Sequence, residues 1–365
     1  MRLRRVGSPI LALDADGGLL TEGLIVAPNH DSRDVGEPPI HVALANTAEL
    51  ARGSQMALVG GIGSGKTTEL LLTQEELSRH ADAVNIFVDM ADYTDLSEVN
   101  PGAILATAGM QLYLHLLKNA GGKRLPDAVR TAWLKLRELA FGTTNRVPAE
   151  TLPPQPYDDE PDDLVPVHVR GVMRLKFPAL RSQVVEILGE LLAIASPLME
   201  DEAQITLLVD GLDRLIKPEL FREFAEQDLH ALRETRISII TVAPLLFLYD
   251  KSRFLQDYFD VVKHIPAAAA DPRASVFLRQ ILERRGALDF MDRAEITAIA
   301  KYSGGVLRDL LTLARSSAEY AYRDDEDRIG RRHVSAAVKQ LGNRYLAGLG
   351  HTHKSRPGSR RQVSD

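Results

Sequence analysis

Two periods of apolar residues alternate along this chain. Continuous Val/Ile/Leu runs appear in "SQMALVGG" at 54–61, "AVNIFVDMAD" at 83–92, "ITLLVD" at 205–210, "ISIITVA" at 237–243 and "VVKHIP" at 261–266. Runs of this length, unbroken by polar alternation, read as strands buried on both faces. Between them, apolar residues return every three to four positions, the spacing of a helix with one buried face. Such segments are "IHVALANTAELAR" at 40–52, "TTELLLTQEELSRH" at 67–80, "PGAILATAGMQLYLHLLKNA" at 101–120, "PDAVRTAWLKLRELAF" at 126–141, "ALRSQVVEILGELLAIASPL" at 179–198 and "PELFREFAEQDLHALRET" at 218–235. Strands alternating with helices predict an α/β fold with a parallel sheet covered on both faces. From 271 onward the pattern is almost wholly helical.

Other stretches lack this order. Residues 1–40 are rich in Gly, Pro and Asp, and 147–168 is dense in Pro, Asp and Glu and reads as a linker or mobile loop. "VHVRGVMRLKF" at 167–177 is a candidate hairpin. No internal repeat is evident.

The first chemistry lies at the end of the first strand. "GGIGSGKTT", residues 60–68, fits G-x-x-x-x-G-K-[ST], follows a strand and opens a helix. Gly60, Gly61, Ile62, Gly63, Ser64, Gly65, Lys66, Thr67 and Thr68 are therefore the candidate phosphate cradle. Glycines let backbone N–H groups converge on phosphate oxygens, and the helix start adds partial positive charge. Lys66 can reach the β- and γ-phosphates of ATP, and the Thr67 hydroxyl can ligate Mg²⁺.

The third strand ends in a second acidic motif, "LLVDGLDRL". Asp210 is placed to hold Mg²⁺ through water, or else to cap a helix. Asp213 either polarises the attacking water or caps the turn that follows. Position 211, next to Asp210, is Gly.

Together with "SGGVLRDL" at 303–310 and a polar residue in the following strand, these motifs resemble the AAA+/STAND group of P-loop ATPases, in its origin-recognition-like and NACHT-like bacterial branches. The resemblance spans roughly 42–340. It implies a five-stranded sheet in the order 5-1-4-3-2, a C-terminal helical lid and ATP-dependent assembly into a homo-oligomer. Many members have Asp-Glu where this chain has Asp210-Gly211, and that departure implies slow hydrolysis. Thr241 matches a γ-phosphate sensor, or is simply a β-branched strand residue. Arg308 would point back at the phosphates from the lid, or be an exposed helix arginine. A finger arginine offered to a neighbouring subunit is expected at Arg233 or Arg236, with Arg222 behind them. The implied organisation is an N-terminal segment 1–40, a core 41–266 with an insertion over about 93–204, a lid 267–348 and a basic tail 349–365.

Composition narrows the partners. A formal charge of −6 over 365 residues excludes a globally basic nucleic-acid surface. The basic termini (Arg2, Arg4 and Arg5; Lys354, Arg356, Arg360 and Arg361) leave local DNA contact open. His351 and His353 are an isolated H-x-H pair in the tail, and Trp133 is a core candidate. The absence of cysteine excludes disulfides, thiolate zinc sites and a cysteine nucleophile and is compatible with cytoplasm. No apolar run is long enough for a membrane helix. With no nuclease, protease or TIR-like signature present, the expectation is a regulatory ATPase that controls a separate effector protein, in the setting of bacterial antiviral defence. The alternative is a DNA-associated ATPase resembling replication initiators or transposition regulators.

Overall fold

A computed structural model describes residues 38–80, 82–93, 96, 101–121, 123–141, 181–215, 217–233, 235–249, 253–266 and 274–348. The N-terminal segment before 38, the Pro/acidic stretch, the candidate hairpin and the basic tail lie outside the described residues.

The elements run α1 (Ile40–Leu50), β1 (Gln55–Gly60), α2 (Lys66–Leu77), β2 (Ala83–Asp89), α3 (Met90–Tyr93), α4 (Ala103–Asn119), α5 (Asp127–Phe141), α6 (Arg181–Glu200), β3 (Gln204–Asp210), α7 (Pro218–Phe224), α8 (His230–Arg233), β4 (Ser238–Ala243), α9 (Phe254–Tyr258) and β5 (Val261–Ile265). The strands form one sheet in the order β2-β3-β4-β1-β5, and every neighbouring pair is parallel. This is the expected 5-1-4-3-2 order read from the other edge.

The continuous apolar strands feed two cores, one on each face. Met56, Leu58, Leu208, Ile240 and Val242 pack with α1 and α2 residues such as Leu44 and Leu70. Ala57, Val59, Leu207, Val209 and Ile239 pack with Ile104, Leu105, Leu112 and Leu136 from α4 and α5. Wholly buried leucines of this kind contribute about 1.5–3 kcal/mol each. Trp133 belongs to the second core, stacked on Tyr113 at 4.6 Å between ring centroids.

Two elements depart from the sequence expectation. β2 stops at Asp89 and a helix starts at Met90, whereas the apolar run suggests a strand through 92. Asp89 Oδ1 accepts the Ala91 N–H at 3.0 Å, a local cap that starts the new turn. The helix expected over 218–235 is interrupted by a π-helical turn over Ala225–Leu229. That turn carries Asp228, which is completely buried and accepts the N–H groups of Gly102 (2.6 Å) and Ile104 (3.1 Å) at the start of α4.

By packing, the described residues fall into two units. The sheet unit comprises residues up to Gly60 and from Gly65 to Ile265; the other comprises the residues from Pro266 onward and the short loop Gly61–Ser64. The second unit contains α10 (Ala274–Arg284), α11 (Ala287–Phe290), α12 (Arg293–Tyr302), α13 (Leu307–Arg323) and α14 (Arg331–Gly348). Its core is formed by residues such as Leu282, Ile296, Ile299, Leu310 and Leu313. Within this unit the Leu307 N–H donates to the Gly63 carbonyl at 2.9 Å, and Tyr345 donates to Asp309 Oδ2 at 2.6 Å.

Candidate nucleotide site

The cradle segment leaves β1 at Gly60 and enters α2 at Lys66. Gly65, the residue before α2, has φ +101°, a conformation that strains any side chain with a Cβ. At the start of α2 the Glu69 N–H donates to the Gly65 carbonyl at 3.0 Å, and the first-turn N–H groups of a helix are oriented toward an anion placed at its start. Ile62 is 73% exposed.

Lys66 is buried. Its Nζ donates to the Gly60 carbonyl at 3.0 Å and is ion-paired with Asp213 Oδ2 at 2.9 Å. The Thr67 hydroxyl donates to Asp210 Oδ2 at 2.5 Å. Burial raises the Asp210 pKa above the usual carboxylate range, opposed by the bonds from Thr67 and the Gly211 N–H; the negative charge of Asp89 adds to the rise and Arg214 opposes it. Among the described residues no group of three or more His, Asp or Glu side chains is placed to hold a metal by itself. The Thr67–Asp210 pair is instead a hard-oxygen arrangement that suits Mg²⁺ when the remaining ligands are water and phosphate oxygens.

The fold is that of an AAA+-type P-loop protein. Sheet order, cradle and helical C-terminal region agree on this. No protein-family model matches the sequence, and no curated protein matches it. Solved structures similar in fold include the Aeropyrum pernix ORC1 protein in complex with DNA, at 17% identity and TM-score 0.46, covering 86% of this chain and 68% of that one. Pyrobaculum aerophilum Cdc6p aligns at 16% identity and TM-score 0.45, covering 88% and 73%. The Thermotoga maritima RuvB Holliday junction branch migration motor aligns at 13% and 0.41, covering 87% and 78%.

The structure brings Lys66, Thr67, Asp210 and Asp213 together, and treats the other candidates differently. Thr68 is half-buried in the first turn of α2. Thr241 is fully buried and pairs with Val209, one residue short of Asp210. Strand alternation therefore sends the Thr241 hydroxyl and the Asp210 carboxylate to opposite faces of the sheet. Thr241 Oγ1, Asp213 Oδ1 and Ser64 Oγ are buried without a hydrogen-bond partner among the described residues.

Arg233 and Arg236 precede β4, whose start is paired with the start of β1 at Gln55↔Ile239. In a parallel sheet this is the end of the strands opposite Gly60, about 16 Å away at ~3.3 Å per residue, so neither serves the cradle of its own chain. Arg233 donates to the Tyr258 carbonyl at 2.9 Å, while Arg236 is exposed. Arg222 lies over the Phe254 ring at 4.5 Å, in the role of a packed cation. Arg308 is exposed at the start of α13 and lies beside the loop residue Gly63 of the same unit: a Cβ built on Gly63 would be 3.1 Å from Arg308 Cβ.

One acid at the site escaped the sequence reading. Asp89 pairs in register with Asp210 at the ends of β2 and β3. The apolar "NIFVDMAD" run hid it, because the strand end could not be located within that run.

Proposed function

We propose that the chain binds ATP with Mg²⁺ on the 60–68 cradle, hydrolyses it slowly, and uses the difference between bound and hydrolysed states to control its own assembly and a separate partner protein. The contact between Thr67 and Asp210 carries this reading, because it joins the helix start of a phosphate loop to an acid ending a buried strand. Lys66 would neutralise charge on the terminal phosphates, and the α2 N–H groups would orient them. Bound Mg²⁺ would supply further neutralisation of the phosphate oxygens. Gly211 in place of a second acid, and the engagement of Asp213 with Lys66, support slow turnover. Bacterial antiviral defence is the setting we favour, on fold-level analogy alone.

The test is titration of a fluorescent ATP analogue. Lys66→Ala in an Asp213→Asn background avoids leaving a buried carboxylate without its cation. It should bind at least about tenfold more weakly than Asp213→Asn alone, the loss of one charge-assisted contact. Equal affinity would remove the nucleotide reading. Sedimentation with a non-hydrolysable ATP analogue should show larger assemblies. Turnover accelerated by duplex DNA with steep salt dependence would replace partner control by a DNA-associated role.

A further inference from the structure

A side chain on the residue after Asp210 would be strained and crowded. Gly211 has φ +91°, and a Cβ built there would lie 2.7 Å from Asp89 Oδ1 and 3.5 Å from the N atoms of Met90 and Ala91. The space beside Asp210 is thus taken by a carboxylate from the neighbouring strand, Asp89, whose backbone partner is Asp210 itself. Parallel strands lie about 4.8 Å apart, so the two carboxylates share one end of the sheet.

The acids at this end are engaged differently. Asp210 Oδ2 accepts from Thr67 and Oδ1 from the Gly211 N–H. Asp213 is paired with Lys66 at 2.9 Å. Asp89 uses Oδ1 to accept the Ala91 N–H, while the half-exposed Arg214, the cation paired with Oδ2 among the described residues, is at 3.8 Å and beyond hydrogen-bond range. The Asp89 side chain is 23% exposed, so water can reach it. Its backbone bond fixes the carboxylate without consuming the oxygen a water would need.

We propose that Asp89, and not Asp213, is the general base that orients and deprotonates the water attacking the γ-phosphate of ATP bound at this cradle. The inference rests on the nucleotide reading above. The water oxygen forms a bond to the γ-phosphorus, and the bond from that phosphorus to the β–γ bridging oxygen breaks, its electron pair leaving with ADP. One proton of the water passes to Asp89 Oδ2 and from there to solvent or the phosphate product. No further reactant is needed. Asp213 is then the partner that holds Lys66 in the nucleotide-free chain.

Asp89→Asn separates chemistry from structure, because an asparagine Oδ1 can still cap the Ala91 N–H while the basic oxygen is lost. In the full chain with ATP and Mg²⁺, the variant should bind the fluorescent ATP analogue within twofold of wild type and melt at the same temperature. Single-turnover phosphate release should slow by about 100-fold or more, the scale of general-base catalysis. Asp92→Asn, an exposed neighbour on α3, should release phosphate at the wild-type rate. Turnover of Asp89→Asn within threefold of wild type would overturn the proposal, as would a rate loss matched by lost binding or a lowered melting temperature, which makes Asp89 structural. A wild-type chain that binds ATP and releases no phosphate overturns it too. Failure of ATP binding itself counts against the nucleotide reading instead.

Discussion

The Lys66–Asp213 pair can be tested by its effect on stability. The two side chains are 6% and 12% exposed and 2.9 Å apart. Removing one member of a buried pair leaves the other as an uncompensated charge, at a cost of about 3–5 kcal/mol. The cost of Lys66→Ala should be about 3 kcal/mol, the low end of that range, because the Asp213 side chain is 12% exposed and water can reach the carboxylate left behind. Asp213→Asn should cost less, about 1–2 kcal/mol, since the ammonium keeps the Gly60 carbonyl and can extend on its flexible stem toward water. The double variant should cost no more than Lys66→Ala, so the coupling in the cycle should be roughly 1–2 kcal/mol. Urea unfolding followed by tryptophan fluorescence is the assay. Trp133 is the single tryptophan, buried within the sheet unit, and so reports that unit without contribution from the helical one. Additive losses, with coupling below about 0.5 kcal/mol, would show that the contact carries no energy and that Lys66 is not restrained before nucleotide arrives.

Gly211→Ala should destabilise the sheet unit by about 1–3 kcal/mol through its positive φ and the Asp89 Oδ1 contact at 2.7 Å; unchanged urea midpoints would contradict that crowding. Asp228 offers a pH-dependent test. Burial pushes its pKa up from 3.8 to about 7, against the N–H bonds from Gly102, Ile104 and Leu105 that pull it down. The folded group therefore keeps its proton where the unfolded one has lost it. The stability this provides is full below about pH 4 and is lost as pH rises through about 7. Asp228→Asn, permanently neutral, removes the slope: between pH 4 and 8 wild type should lose on the order of 2–4 kcal/mol relative to the variant. Parallel pH curves would refute it.

Much of the architecture is legible because the central strands β1, β3 and β4, buried on both faces, leave nearly unbroken apolar runs, the edge strands β2 and β5, buried at only some positions, keep short Val/Ile-rich runs, and helices leave their period. The five strands, the helices between them and the cradle at 60–68 all follow from such local signals, as does Asp210 at the end of its run. The 5-1-4-3-2 order came from family resemblance, since no local pattern encodes which strands are neighbours. Tertiary structure decided what depends on register and on contacts between distant segments. Pairing of Asp89 with Asp210 sets two carboxylates side by side although they are far apart in sequence. The π turn and the burial of Asp228 answer to the N–H groups of a helix start more than a hundred positions earlier. Thr241 and Asp210 go to opposite faces because a single step along a strand reverses direction, and only the register counts that step. Asp213 reads equally well as a water-orienting acid or a cap from its own neighbours. That it meets Lys66 is a fact of folding, because an ion pair is selected by where two charges are buried together and not by where they stand in the chain.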